Sequence, residues 1–210
     1  MPIPHRSQVS RAIQRTPWHL SNEVLYNLCQ EYPFHVDTEV VLAKILLIGR
    51  VYAAAIERRR SKGEQNDDFY ISNVASKIIK SPIDQWIDTA RRVEPESVEA
   101  LNVMIEVHGQ TTKLFRDISG LDKRALASKY LHFHVPRLFF IYDTRAVEGM
   151  RTVGDIVGRA KRYSGDADAE YRKFAEKCAR LRRYCEAEFG LPMSPREVDN
   201  LLLLLYESET

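Results

Sequence analysis

Apolar positions recur at helical spacing along most of this chain, and strand-like alternation is scarce. From Thr38 to Arg60 they follow an Asp37-Thr38 start and run to a basic end, as the helix dipole favours, which predicts the central buried helix. Two shorter helices are predicted over Ile71–Lys80 and Ser81–Arg92, parted at Ser81-Pro82 because proline suits a first helical turn and not an interior. Ser97–Gly109 reads as a helix ended by its glycine, and Ala167–Phe189 as a long amphipathic one stopped by Gly190. Ser194-Pro195-Arg196-Glu197 has the form of a capping box with proline at the first helical position, opening a last apolar helix over Val198–Tyr206. Leu138–Tyr142 is the one β-like run, too short to support a sheet alone. Arg58–Lys62 running into Gly63–Asp68, and Ser164–Asp168, read as exposed loops. The class this pattern predicts is all-α.

Composition narrows the picture. With 210 residues, 44% of them hydrophobic and 29% charged, the chain has the makings of an ordinary globular protein with one domain or two intimately packed lobes. The longest apolar run, Leu201–Leu205, is far too short to span a bilayer, and Met1–Arg15 lacks the apolar core of a signal peptide. Cys29, Cys178 and Cys185 form no close ligand pair and are odd in number, which argues against a disulfide scaffold and for a reducing cytoplasm. A net charge of +2 does not announce a nucleic-acid protein by its sum; its distribution says more.

The candidate chemistry is concentrated between Phe115 and Glu148. Lys113–Asp117 closes one short helix in this reading, Ile118–Asp122 turns around Gly120, and Lys123–Phe133 forms a second helix. Such a turn aims backbone N–H groups and a helix N-terminus outward, where a nucleic-acid phosphate would be held. The competing reading is a plain connection between two helices of a bundle.

Ile118-Ser119-Gly120-Leu121-Asp122-Lys123-Arg124 resembles the hairpin of the helix-hairpin-helix DNA glycosylase superfamily, whose usual form is Leu-Pro-Gly-hydrophobic-Gly-x-Lys. An aspartate follows the lysine position in that family at a spacing like that of Asp143, which lies 20 residues after Lys123 and 19 after Arg124. Ala127–Phe133 and Ile141-Tyr142-Asp143-Thr144-Arg145 are similar to divergent bacterial members of its 8-oxoguanine glycosylase branch, and Val40–Ile56 to its first core helix. The resemblance spans about residues 37–150. It implies a single helix-hairpin-helix glycosylase-like domain of two helical lobes, 1–36 plus 150–210 and 37–149, with a cleft between them. It also implies base-excision repair by hydrolysis of the N-glycosidic bond of a damaged or modified purine in duplex DNA, with or without lyase activity, and no cofactor.

Two departures bear on the residues. Asp122 stands where the family has its second glycine, and its charge would repel a phosphate. The ungapped register puts Arg124 at the lysine position, where an arginine cannot serve as nucleophile; a shift by one puts Lys123 there, with Lys129 turned toward the same pocket. The resemblance therefore makes Asp143, Lys129 and Lys123 the catalytic candidates, and Gly120, Leu121, Arg124 and Arg145 the DNA contacts. Ser128, Phe133, Phe139 and Tyr142 are the expected walls for a flipped base. The carboxylate would stabilise the sugar cation, and a buried lysine beside it would attack the sugar carbon to form a Schiff base. Capping the helix over Thr144–Met150 is the other role open to Asp143, and the two can coexist.

The remaining constellations point elsewhere. His132-Phe133-His134 with Asp143 is a poor metal set, since residues two apart on a helix face different ways, so no metal is expected. The basic face of Arg172–Arg183 is either solvated or a phosphate track, and Trp18 and Trp86 read as core anchors. Two other functions stay open: an inactive nucleic-acid or protein-binding module of a repair or antiviral-defence system, and a helical adaptor using the Arg58–Lys62 and Arg172–Arg183 faces.

Overall fold

The computed structural model describes residues 4–57, 69–97, 99–160 and 168–208. Helices α1 (Arg6–Ile13), α2 (His19–Glu31) and α3 (Thr38–Val51) open the chain. A π-helical turn over Phe69–Ala75 runs into α4 (Ser76–Lys80), followed by α5 (Ile83–Arg92) and α6 (Ala100–Ser119). Then come α7 (Arg124–His134), α8 (Thr144–Thr152), α9 (Gly154–Val157), α10 (Ala169–Phe189) and α11 (Pro195–Glu207). No strand occurs among the described residues, so the chain is all-α as its pattern predicts. The β-like Leu138–Tyr142 run is largely buried but forms no strand, and it starts in a turn in which the Leu138 amide donates to the Val135 carbonyl.

Local signals set several boundaries. The Asp37 side chain accepts from the Glu39 and Val40 amides at 2.8 and 3.1 Å to start α3, Asp168 caps α10 likewise, and the Ser194–Glu197 capping box opens α11. Gly120 and Gly190 end α6 and α10 in the left-handed region, at φ 72° and 65°. Other boundaries differ from the sequence pattern. Gly109 lies inside α6, because Val107, His108, Thr111, Thr112 and Phe115 on either side of it are all buried and hold the helix continuous. The expected long helix from Thr38 stops at Val51, and Ala53 turns back at φ 52°. The end is closed locally: the Ala54 amide donates back to the Gly49 carbonyl at 2.7 Å around Ala53, and a Cβ on Gly49 would lie 3.2 Å from the Ala55 Cα. Arg58–Lys62, Gly63–Asp68 and residues 164–167 fall outside the described residues.

The central helix is α7, not α3. Every residue of α7 from Leu126 to His134 is buried, with α2, α3 and α6 packed around it. By contrast α3 leaves Leu47 and Val51, one turn apart, exposed. The last helix, α11, packs along both α1 and α8, so the two ends of the chain close on the same face. Its contact with α8 is tight enough that a Cβ on Gly149 would stand 2.0 Å from the Leu202 carbonyl oxygen. Trp18 is 72% exposed and is therefore no core anchor, whereas Trp86 packs against the core. Among the described residues no helix is long and apolar enough to cross a membrane.

Candidate active site

Three segments converge on an open cleft of about 620 Å³: the broken end of α3 (Tyr52–Ala55), the hairpin with the first turns of α7, and the start of α8. Lys129 projects from α7 into this cleft although it is only 3% exposed. Its ammonium lies 3.3 Å from the Asp143 Oδ2, donates to the Tyr52 carbonyl at 3.2 Å, and sits 5.8 Å from the centre of the Tyr52 ring. Lys123 borders the same cleft and donates to the Ala55 carbonyl at 3.4 Å. The early end of α3 thus supplies two carbonyl oxygens that hold the two lysines.

Asp143 is fixed from its other side. Its Oδ1 accepts from the Ala146 amide at 2.9 Å as the N-cap of α8, leaving Oδ2 for Lys129. Capping and pairing thus coexist, each using a separate oxygen. Ser128 ties the approach to Asp143 onto α7: its hydroxyl accepts from the Tyr142 amide at 3.0 Å and donates to the Ala125 carbonyl at 3.0 Å. Arg145 is exposed at the cleft mouth.

The expected pocket walls need correction. Phe133, Phe139 and Ser128 are 2%, 0% and 0% exposed and belong to the core, because α7 is enclosed on all sides. Of the four, Tyr142 alone borders the cleft, and Tyr52 takes the aromatic place across from it. Arg124 turns away into a second hollow of about 760 Å³ on the opposite side of the hairpin, where its Nε meets the Asp168 Oδ2 at 2.5 Å and its guanidinium overlies Tyr142. Against the opposing effect of burial, that bond holds the Asp168 carboxyl below its usual value. Although this hollow is the larger, its central pair is arginine with carboxylate, and a guanidinium cannot give up a proton to serve as an amine nucleophile.

At the hairpin tip Gly120, Leu121 and Asp122 are exposed. The Gly120 amide donates to the Arg116 carbonyl at 2.7 Å and the Leu121 amide to the Ser119 hydroxyl at 3.3 Å, so these two amides are spent inside the turn and do not face a phosphate. Asp122 pairs with Arg116, which offsets its charge. The N-terminus of α7 carries no side-chain cap.

Three buried networks have no counterpart in the sequence reading. Behind the cleft, the Arg196 guanidinium lies 5.4 Å from the Tyr52 ring centre and 5.5 Å from that of Phe133. It donates to the Asp199 Oδ2 at 3.3 Å and to the Tyr26 hydroxyl at 3.2 Å. Tyr26 donates in turn to the His132 Nε2 at 2.7 Å, while His132 Nδ1–H donates to the Phe139 carbonyl at 2.8 Å. Burial pushes the Asp199 carboxyl up to about 6, with Arg196 opposing and Asp143 adding to the rise. On the other face of α7, His35 donates to Asp84 at 2.5 Å and accepts from the Tyr130 hydroxyl at 2.7 Å. His108 stacks on Tyr171 at 3.5 Å between ring centres, and burial pushes it down to about 4. The pairing of His35 with Asp84 spans 49 residues, and the stacking of His108 on Tyr171 joins separate helices; no local pattern shows either.

Much of the basic face of α10 is engaged within the molecule. Arg172 and Arg180 pair with Glu176, Arg180 also donates to the Val157 and Arg159 carbonyls at 2.8 and 2.9 Å, and Arg182 pairs with Glu96. Among the described residues no three His, Cys, Asp or Glu side chains converge as metal ligands.

A family model described as the HI_0787_N N-terminal domain matches residues 6–138, which takes in Tyr52, the hairpin, Lys123 and Lys129. No curated protein and no solved structure matches the chain. Asp143, Arg196 and Asp199 follow the matched stretch, so the cleft is completed from beyond it. The chain belongs to the HI_0787_N family.

Proposed function

We propose that this family member is a DNA base-excision glycosylase with a helix-hairpin-helix glycosylase-like fold of two lobes, acting on a damaged or modified purine flipped from duplex DNA, with Lys129-dependent lyase activity. The observation that carries the reading is the Lys129 Nζ held 3.3 Å from the Asp143 Oδ2 in an open cleft. Breaking the bond between sugar and base builds positive charge on the sugar, and a fixed carboxylate beside it stabilises that charge. In the reaction the Lys129 ammonium passes one proton to Asp143, and the freed amine forms a bond to the sugar C1′ as the base departs with the electron pair of the broken C1′–N bond and takes the proton from Asp143, which restores the carboxylate beside the sugar. The C1′–O4′ bond then opens, with a proton passing from the attacking nitrogen to O4′, and leaves a Schiff base between Lys129 and C1′. Tyr52 and Tyr142 offer faces for the extruded base. The uncapped N-terminus of α7, with Lys123 and Arg145, suits the phosphates on either side. Three free, buried cysteines fit a cytoplasmic setting, with partners from a repair or defence operon. A glycosylase-like fold does not by itself fix the lesion.

The test is excision from a panel of duplexes carrying oxidised, alkylated and deaminated bases, with binding followed in parallel. Excision of at least one lesion that disappears in Asp143→Asn while binding persists is the expected result; excision retained in Asp143→Asn removes the carboxylate from the chemistry.

A second reading, an inactive nucleic-acid-binding module, is favoured by Arg124, which stands at the lysine position of the ungapped register, is held by Asp168 and cannot act as a nucleophile. It predicts salt-sensitive duplex binding with no excision anywhere in the panel. An adaptor that binds no nucleic acid would have no such affinity to lose.

A further inference from the structure

Behind the Lys129–Asp143 pair lies a second ion pair that the chemistry above does not use. Arg196 and Asp199 sit one turn apart on α11, and Asp199 is only 5% exposed. One oxygen of Asp199 and the Nη2 of Arg196 are buried without a hydrogen-bond partner. A buried ion pair left partly unsatisfied costs stability relative to apolar residues of the same size. Packing alone therefore gives no reason for it, and its position does. The Tyr52 ring carries the Arg196 guanidinium 5.4 Å from its centre and the Lys129 ammonium 5.8 Å from its centre, while the carbonyl of the same residue accepts from Lys129. The Tyr52 hydroxyl is tied to Asn22 on α2, so the ring is held at both ends. Anything that shifts Arg196 shifts the surface on which Lys129 rests.

We propose that Arg196 and Asp199 are positioning residues of the cleft, acting on the Lys129–Asp143 pair through Tyr52 and through the charge on Asp199. The titratable and charged groups that act on Asp199 come from its own helix and from several others. Arg196 lies on its own helix, Lys129 on α7, and Asp143 and Arg145 at the start of α8. Tyr26 on α2 and Tyr52 beyond α3 are joined to it through Arg196, and Cys178 on α10 completes the set. Asp143 disfavours ionisation of Asp199 and Lys129 favours it, so the two pairs feel each other's charge. Protonation of Asp199 near pH 6 removes a negative charge from behind the cleft and releases Arg196 from its partner.

The inference rests on the reading of Lys129 and Asp143 as the reactive pair, yet its first test needs no turnover. The carboxyl of Asp199 is titrated by carbon-13 NMR in the wild type, in Asp143→Asn and in Lys129→Met. We expect a midpoint of about 6 in the wild type, a lower one in Asp143→Asn and a higher one in Lys129→Met. Asparagine keeps the cap on α8, so Asp143→Asn decides the question even where Lys129→Met folds poorly. A midpoint unmoved in Asp143→Asn overturns the coupling. The second test measures the pH profile of excision in Asp199→Asn and Arg196→Lys. A fall of about tenfold in kcat at unchanged KM, with the limb near pH 6 gone from Asp199→Asn, is expected of a positioning pair. A profile of wild-type shape shows a merely structural role. Should the wild type excise nothing, the proposed function fails while the titration still decides whether the two pairs are coupled.

Discussion

Lys129 and Asp143 come from different elements 14 residues apart, and their side chains meet at 3.3 Å because each is held by a separate backbone group. The Tyr52 carbonyl accepts from the ammonium and the Ala146 amide donates to the carboxylate. Neither anchor depends on the pair itself. The geometry therefore survives the loss of one partner, which makes single substitutions informative.

Asp143→Asn and Asp143→Ala should part in stability. Asparagine caps a helix about as well as aspartate, whereas alanine forfeits the bond to the Ala146 amide and about 1 kcal/mol with it. Urea unfolding of the two variants measures this. Equal stability would mean the cap contributes nothing, and α8 would then be positioned by its packing on α11 alone.

Gly149→Ala should destabilise the protein by at least about 1–3 kcal/mol, since its Cβ would lie 2.0 Å from the Leu202 carbonyl oxygen and force α8 away from α11. Gly154→Ala, with nothing within 4 Å of its Cβ, is the matched control and should be neutral or mildly stabilising. Thermal melts of both settle the point. Because Asp143 begins α8, Gly149→Ala should also weaken any activity of the cleft by more than its loss of folded protein explains.

Acid should unfold the chain steeply. His35 and His108 are pushed down to about 4, and His132 and His134 well below their usual value, each chiefly by burial. Their folded values lie below the unfolded ones, so the stability they contribute is present above about pH 6.5 and is lost as pH falls toward 4. Asp199 has the opposite sign: its folded value of about 6 exceeds its unfolded one, so its contribution is present at low pH and is lost as pH rises through 6. At pH 5 unfolding should take up nearly four protons on the histidines and release nearly one from Asp199, a net of about three and a slope of about 4 kcal/mol per pH unit. Stability measured between pH 4.5 and 6 checks this, and a slope below about 1 kcal/mol per pH unit would contradict neutral burial of the histidines.

Much of the fold was legible where the signal is local. Ser194, Pro195 and Glu197 start α11 as their sequence says, Gly120 and Gly190 end helices, and Asp143 caps one. Tyr52 was not legible as a cleft residue, because Val51-Tyr52-Ala53-Ala54-Ala55 contains no breaker, yet the helix ends there with Ala53 in the left-handed region, where glycine is the usual residue. Phe133 and Phe139 were misplaced for a related reason. Spacing identifies the buried stripe of a half-exposed helix, but α7 is covered on every side, so its lysine, its histidines and Phe133 carry no facing information of their own, and Phe139 lies in the buried non-helical run that follows. Trp18 was misread because size and apolarity favour burial on average and say nothing of one position. Arg196 and Asp199 could be placed on one face of α11 by their spacing, but not against Tyr52, which lies more than a hundred residues earlier in the chain.

Lys129 as the nucleophile of this cleft is the claim on which the proposed chemistry depends. Incubating the protein with the lesion-bearing duplex panel in the presence of borohydride, then locating the reduced adduct by peptide mass spectrometry, tests it directly. The adduct is expected on Lys129, absent in Lys129→Gln, and still formed in Lys123→Gln. A trapped adduct on Lys123 would move the chemistry to the hairpin, and no adduct on any duplex that the protein demonstrably binds would contradict the lysine mechanism.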